Sequence, residues 1–343
     1  MYRKVAQRIG RYTLKLENRP AIVGFASVCG KKEAEGPLGD SFDLTFDDTT
    51  LGSESWEKAE SKLQTEAVSR ALNKAGVVAS DVDYILAGDL LNQCISSTFG
   101  LRSLNIPFLG QYGACSTMAQ TLALSAILVD AGAARTCVAV TSSHFCSAER
   151  QFRFPLEYGG QRTPTAQWTV TGSGAAIVGN TGDSPYISAV TIGRIADLGV
   201  KDAANMGAAM APAAAETLTD YFNDTGTKPS DYDLILTGDL GEVGSKLLYE
   251  LLEMNDIHIK DYHNDCGLMI YHKDSQDVHA GGSGCGCSAS VLCSTVLKRL
   301  KQGELNNILF IATGALMSPT SSEQGESIPS VAHLVNLKSG LQS

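Results

Sequence analysis

The chain has 343 residues, of which 43% are apolar, so it is long enough for about two globular domains with a substantial core. Its 27 Lys and Arg against 37 Asp and Glu leave a net charge of −10, which excludes nonspecific nucleic-acid binding or attraction to an anionic membrane through bulk charge. With 34 glycines but only 10 prolines, the glycine excess belongs to tight loops, and a low-complexity chain is excluded.

From the N-terminus, Met1-Tyr-Arg-Lys-Val-Ala-Gln-Arg8 has no apolar stretch of the kind a secretory signal requires. The nine cysteines, an odd number scattered through apolar and Gly-rich segments, therefore read as thiols of a reducing compartment. An amphipathic helix is expected over 57–75, followed by a short buried strand over 84–87 that ends in Gly88-Asp89. Tyr112-Gly-Ala-Cys115-Ser-Thr then runs into a small-residue helix over 115–131, leading to a strand over 136–141 that ends in Thr141-Ser-Ser-His144. Cys115 thus stands at a helix N-terminus, where unpaired N–H groups and the dipole lower a thiol's pKa and hold anions. The alternative for this residue is an inert buried thiol. The longest apolar stretch, 119–134, is interrupted by Asp130 and reads as too short to span a bilayer, so a soluble chain without a transmembrane segment is expected.

Next comes Ala148-Glu-Arg-Gln-Phe-Arg-Phe, continuing to Arg162, too aromatic and cationic for a passive linker. Its Arg150, Arg153 and Arg162 could neutralise an anionic ligand or form interface and interdomain ion pairs. A glycine-bearing strand is expected from Thr169 through Gly172 to Val178, with glycines that allow close backbone approach. In the second half, a helix over 211–223 precedes a strand over 234–237 that ends in Gly238-Asp239. Tyr262-His263-Asn-Asp-Cys follows, and then Gly281-Gly282-Ser-Gly-Cys285-Gly-Cys287-Ser, a Gly-rich candidate for cradling an anion. A helix over 287–301 and a strand over 307–313 close the series. Cys285-Gly-Cys287 lacks the Cys-x-x-Cys spacing of a zinc site, and neither nucleotide-binding glycine motif is present. Of the six histidines, His144 and His263 have the most informative contexts, His258 and His272 sit among polar residues, and His279 and His333 stay undecided.

These elements repeat. Ser80-Asp-Val-Asp-Tyr-Ile-Leu-Ala-Gly-Asp-Leu90 returns 150 residues later as Ser230-Asp-Tyr-Asp-Leu-Ile-Leu-Thr-Gly-Asp-Leu240, with eight of eleven positions identical. Two βα-rich halves, 1–180 and 181–343, are therefore expected around a largely parallel sheet. Ligands in such sheets bind beyond the strand C-termini, which groups Gly88-Asp89, 141–144, Gly238-Asp239 and Thr313-Gly314 in one cleft unless the Gly-Asp pairs are merely turns.

Together these residues resemble the thiolase and ketoacyl synthase superfamily, an α/β fold of duplicated βαβαβ halves in five αβαβα layers whose nucleophilic cysteine starts a buried helix of the first half; Cys115 matches that position. Longer blocks, among them Ala87-Gly-Asp-Leu-Leu-Asn-Gln93, Gly113-Ala-Cys-Ser-Thr117, Glu157-Tyr-Gly-Gly-Gln161, Ala209-Met-Ala-Pro-Ala-Ala-Ala215 and His263-Asn-Asp-Cys-Gly-Leu-Met-Ile-Tyr271, are similar to the stage V sporulation protein AD family of spore-forming bacteria. That resemblance implies a noncatalytic protein that binds dipicolinic acid, alone or as its calcium chelate. It also implies partnership with membrane subunits of the same sporulation transport complex, at the spore inner membrane, for uptake into the developing spore and release at germination. A homodimer is implied by the superfamily. Where ketoacyl synthase III relatives end a second-half strand in His-Gln-Ala-Asn, this chain has Leu236-Thr-Gly-Asp-Leu240, with Gly238 at the histidine's place. Thiolases carry Gly-His-Pro and a second cysteine where this chain has Gly281-Gly-Ser-Gly and Ala312-Thr-Gly-Ala.

Cys115 is accordingly expected to be a relic nucleophile in a pocket for an aromatic dicarboxylate. Its other expected contacts are Asp89, Ser142, Ser143, His144, Arg150, Arg153, Gly172, Asp239, His263 and Gly282, with the aspartates serving calcium or holding donors in place. No resident metal or cofactor is expected. The competing readings are an active Cys-dependent acyltransferase that uses coenzyme A thioesters, and a scaffold that only supports membrane partners.

Overall fold

The computed structural model describes residues 6–152, 162–180 and 185–340, so Arg153 and the 157–161 block lie outside the described residues. Ten strands form the main path of the central sheet. The first half supplies β1 (Ala21–Cys29), β2 (Tyr84–Gly88), β3 (Phe108–Gly110), β4 (Thr136–Ser143) and β5 (Gly172–Gly179). The second supplies β6 (Tyr186–Ala196), β7 (Leu234–Thr237), β8 (His263–Asp265), β9 (Asn307–Ala315) and β10 (Ser330–Lys338).

The spatial order is β8-β7-β9-β10-β6-β1-β5-β4-β2-β3. Each half thus repeats one permutation: its second strand lies parallel to its third and fourth, its fourth antiparallel to its fifth, and its fifth antiparallel to its first. The sheet is therefore mixed rather than largely parallel. The βα periodicity reveals the crossovers but carries no signal for the direction of each half's last strand, which pairs antiparallel. Strands β6 and β1 join the halves through a single pair, Tyr186 opposite Ala21.

Helix α1 (Trp56–Ala75) starts where Ser55 Oγ accepts from Lys58 N and stops at Gly76, whose φ of 66° takes the left-handed C-cap. It buries Ala59, Leu63, Ala67, Val68 and Ala71 on the outer face of the first half's sheet. Helix α2 (Thr117–Ala131) and helix α3 (Met206–Thr225) follow. Asn205 caps α3, so that helix begins before the expected 211 and accommodates Pro212 inside it. It covers the outer face of the second half's sheet, and α4 (Gly241–Glu253) packs against it. The last long helix runs as α5 (Cys285–Val291), a π turn (Leu292–Val296) and α6 (Leu297–Gln302).

Helices α2 and α5 lie between the two half-sheets, and one core of Leu86, Met118, Leu122, Ala289, Leu292, Phe310 and Val335 spans both halves. The layers therefore run α1, first half-sheet, α2 with α5, second half-sheet, α3. The segment Ala114–Ala131 is long and apolar enough to cross a membrane, contrary to the sequence expectation; however, 72% of it is buried, because a helix covered by sheet on both sides must be apolar all round. A second, two-strand pairing of Trp168–Thr169 with Gly282–Ser283 ties the halves together beside α5. Among the described residues no cysteine forms a disulfide.

Candidate functional site

Cys115 sits on a single 3-10 turn, Ala114–Ser116, immediately before α2. Ala114 has φ 49°, a left-handed conformation that costs a non-glycine residue about 1 kcal/mol. The surrounding hydrogen bonds hold it there. Ser116 Oγ donates to Gly113 O at 2.6 Å, and Thr117 Oγ1 donates to Ala114 O at 2.6 Å while accepting from Gly113 N at 3.1 Å. The turn aims Cys115 across the boundary between the halves, leaving it only 5% exposed.

There its thiol faces the carboxyl of Asp239, at the end of the β7 repeat, near enough to favour the carboxylate. Asp239 Oδ2 also accepts from Gly284 N at 2.8 Å and Ser283 Oγ at 3.3 Å, and Thr313 Oγ1 donates to Oδ1 at 3.2 Å. Burial pushes this carboxyl up to about 7, against the pull of the Gly284 N–H and the thiol. Above Cys115 lies a pocket of about 20 Å³, walled by Leu90, Tyr112, Ala114, Met206, Ser283, Ala315 and Met317. That volume holds about one water. Of the residues expected to contact a ligand, only Cys115 lines this pocket, with Asp239 behind it.

Asp89, the first-half counterpart of Asp239, accepts from Leu91 N at 2.9 Å and from Ser97 N and Oγ at 2.8 and 2.6 Å. It belongs to a second buried polar cluster on Glu60. Ser142 Oγ donates to Glu60 Oε1 at 3.0 Å and Ser147 Oγ donates to Oε2 at 2.6 Å, while Gln64 Nε2 donates to Ser142 Oγ and Ser97 Oγ, both at 2.8 Å. Burial, and then the neighbouring Asp89, push Glu60 up to about 8. Cys285, at the start of α5 as Cys115 is before α2, lies between the clusters and donates Sγ–H to Ser142 O at 2.9 Å. The strand ends do converge, as expected from the repeat. They converge as packed interior, however, and the open part is the small pocket over Cys115.

The other expected contacts are committed elsewhere. Ser143 Oγ donates to Val170 O at 2.6 Å and accepts from Gly286 N at 3.2 Å. His144 Nε2 lies 2.7 Å from Thr49 O, so it carries the proton, leaving Nδ1 to accept from Cys146 N at 3.1 Å. Burial lowers its pKa. Thr237 Oγ1 donates to Asp265 Oδ2 at 2.6 Å and therefore accepts from His263 Nε2 at 2.9 Å, while Tyr249 OH donates to His263 Nδ1 at 2.8 Å. Burial takes His263 down to about 4, so it is neutral. Arg150 pairs with Glu57 over the Trp56 ring, and Arg162 sits over Trp168 with Asp277 at 3.7 Å. Arg162 thereby makes an ion pair between the halves, the expected alternative to ligand binding, whereas the Arg150 pair lies within the first half.

Gly172 opens β5 opposite Cys29 and Ser143, and Gly282 pairs with Trp168 while its carbonyl accepts from Gln167 Nε2 at 2.8 Å. The Gly-rich loop is not an open anion cradle, since its Gly281, Gly284 and Gly286 N–H groups already donate to Val278 O, Asp239 and Ser143. Its glycines serve packing, because a Cβ on Gly284 would come within 3.2 Å of Ser143 Cβ, and Gly284 has φ +105°. Both aspartates accept from buried donors, and among the described residues no group of three His, Cys, Asp or Glu is placed to hold a metal ion.

Glu60, Leu90, Met206 and Met317 were missed by sequence reasoning. The signal for Glu60 was present: it and Gln64 share the α1 face with Ala67, Val68 and Ala71, all buried. The methionine and leucine walls left none, because apolar residues at these spacings read only as core.

A family model for stage V sporulation protein AD matches residues 10–338. Stage V sporulation protein AD of Bacillus subtilis (strain 168) is 47% identical over 324 residues, covering 94% of this chain and 96% of that protein. Among solved structures, 3-oxoacyl-[acyl-carrier-protein] synthase III from Aquifex aeolicus VF5 superposes with a TM-score of 0.56 at 14% identity, over 93% of this chain and 99% of that one. The tetronic acid condensing enzyme AbyA1 gives 0.59 at 19% identity over 93% and 99%, and cerulenin-bound OleA of Xanthomonas campestris gives 0.59 at 13% over 97% and 98%. At these identities the solved structures show the fold alone, which is thiolase-like.

Proposed function

The chain belongs to the stage V sporulation protein AD family, and from that premise we propose that it is a noncatalytic thiolase-fold receptor for dipicolinic acid. In this reading it supports entry of the compound into the developing spore and its release at germination, docked on membrane subunits of the same transport complex. The observation that carries the noncatalytic part is the contact between Cys115 and Asp239. An imidazole beside a thiol becomes cationic when it takes the proton and so stabilises the thiolate. A carboxylate does the reverse, since thiolate and carboxylate repel, so the thiol keeps its proton. The apolar walls over Cys115 suit a flat aromatic ring. A ring bearing two carboxylates needs several times the present volume, so binding requires Tyr112 and Met317 at the rim to turn aside.

Equilibrium dialysis tests the receptor. Saturable dipicolinate binding is expected without calcium, and Met317→Trp, which fills the mouth, should weaken it about tenfold or more. Absence of saturable binding at millimolar ligand would overturn the reading. The raised pKa of Asp239 lies in the range of a general base and favours one rival, an acyltransferase acting through Cys115. Intact-mass measurement after incubation with acyl-coenzyme A thioesters separates the two: no adduct is expected, whereas an adduct lost in Cys115→Ser would establish the rival.

The proposal includes a homodimer. Strand β3 is a sheet edge whose Phe108 and Leu109 are 39% and 45% exposed, an unpaired apolar edge of the kind that pairs with a second copy. Leu109→Lys should shift the sedimentation coefficient to that of a monomer; an unchanged coefficient would place the contact elsewhere.

A further inference from the structure

Sharing no residue with the pocket over Cys115, a groove of about 370 Å³ opens between β1, the end of α1 and the last long helix. Lys74, Lys298 and Lys301 line it together with Ser41, Ser294 and Phe25. Two irregularities of the backbone meet there. Strand β1 is bulged at Val23, where its register against β5 shifts between Ile22 and Gly24. The helix on the opposite wall widens to a π turn over Leu292–Val296, which contributes Cys293 and Ser294 to the lining. Bulges and π turns persist where they re-aim side chains, often at binding sites.

The charges in the groove do not balance. Lys74 Nζ is neutralised by Asp43 Oδ1 at 2.5 Å. Lys298 and Lys301 stand at i and i+3 on one helix face, where like charges repel, and among the described residues neither has an ion pair. Two uncompensated ammonium groups thus face one groove in a chain whose net charge is −10. The wall offers ammonium point charges but no guanidinium fork, its Ser41 hydroxyl already donating to Leu38 O at 2.6 Å. That set suits the tetrahedral oxygens of phosphate better than the planar, bidentate geometry of a carboxylate.

The geometry points to a second ligand site in this groove, for a phosphate dianion held between Lys298 and Lys301. The phosphate belongs either to a soluble compound or to a lipid headgroup. Two probes distinguish these sources: dialysis against radiolabelled inorganic phosphate at low ionic strength, and flotation with phosphatidylcholine vesicles with and without phosphatidic acid. Saturable phosphate binding with no flotation assigns the soluble source, and flotation only with phosphatidic acid assigns the lipid.

In either case Lys298→Gln/Lys301→Gln, two exposed positions whose change leaves the core intact, should weaken binding about tenfold or more, while Lys201→Gln leaves it unchanged. Failure of both probes to bind saturably, or equal binding by the double variant, would overturn the assignment. The double variant should keep full dipicolinate binding. If it lost that binding instead, the groove would belong to the dicarboxylate and the phosphate assignment would fall, whatever the fate of the pocket over Cys115.

Discussion

Gly314→Ala should destabilise the protein by about 3 kcal/mol or more and abolish ligand binding at the Cys115 pocket. Gly314 lies on β9 where that strand crosses the turn carrying Cys115, and a methyl group there would overlap the Gly113 carbonyl oxygen and approach Ser116 N to 3.1 Å. The obstacle is backbone, which no rotamer change relieves. The backbone in question is also the segment that holds Ala114 at its left-handed φ. Gly179→Ala, on β5, is the control: its Cβ would meet only Val23 side-chain atoms at 3.5 Å and the Arg135 carbonyl oxygen at 4.0 Å, ordinary contacts. Thermal unfolding of both variants checks the expectation, and equal melting temperatures would show that the crossing accommodates a methyl group.

The second large effect is a dependence of stability on pH that runs opposite to ordinary acid denaturation. Glu60 is pushed up to about 8 and Asp239 to about 7 by burial, from the ordinary carboxyl values of 4.5 and 3.8. The folded state therefore holds protons that the unfolded chain has lost, and this stabilisation, complete at low pH, disappears as pH rises through the folded values. His263 and His333 are lowered to about 4 from 6.5, so their opposing contribution begins only below about 6.5. Stability should accordingly increase from pH 8.5 down to 6.5, by on the order of 2 kcal/mol from Glu60. Glu60→Gln keeps an acceptor for the serine hydroxyls and carries no proton to lose, so its profile over the same window should be flatter. Parallel profiles for the two proteins would remove Glu60 as the cause.

Much of the architecture was already legible in the chain. The repeat at Ser80 and Ser230 carried the duplication, and the two halves do share one strand permutation. Helix α1, strand β7 and the placement of Cys115 just before α2 follow from caps, periodicity and small-residue runs within a few residues of each position. Such signals are local: a propensity or a cap acts over a turn or two, and the sequence therefore determined the elements, their duplication and the cysteine at a helix start.

Tertiary structure alone decided what the cysteine meets. Asp239 reaches Cys115 from the other half, and Gly284 and Thr313 fix its carboxyl from two further segments. The Gly-rich loop looked like an open cradle because its amides were counted without their acceptors, which Asp239 and Ser143 supply only after the halves pack. Glu60 acquires its partners only when β4 and the segment carrying Ser147 close over it. In each case the deciding partner is distant in sequence and near in space, and its effect comes through desolvation and hydrogen-bond satisfaction, which exist only once the two half-sheets have closed around α2 and α5.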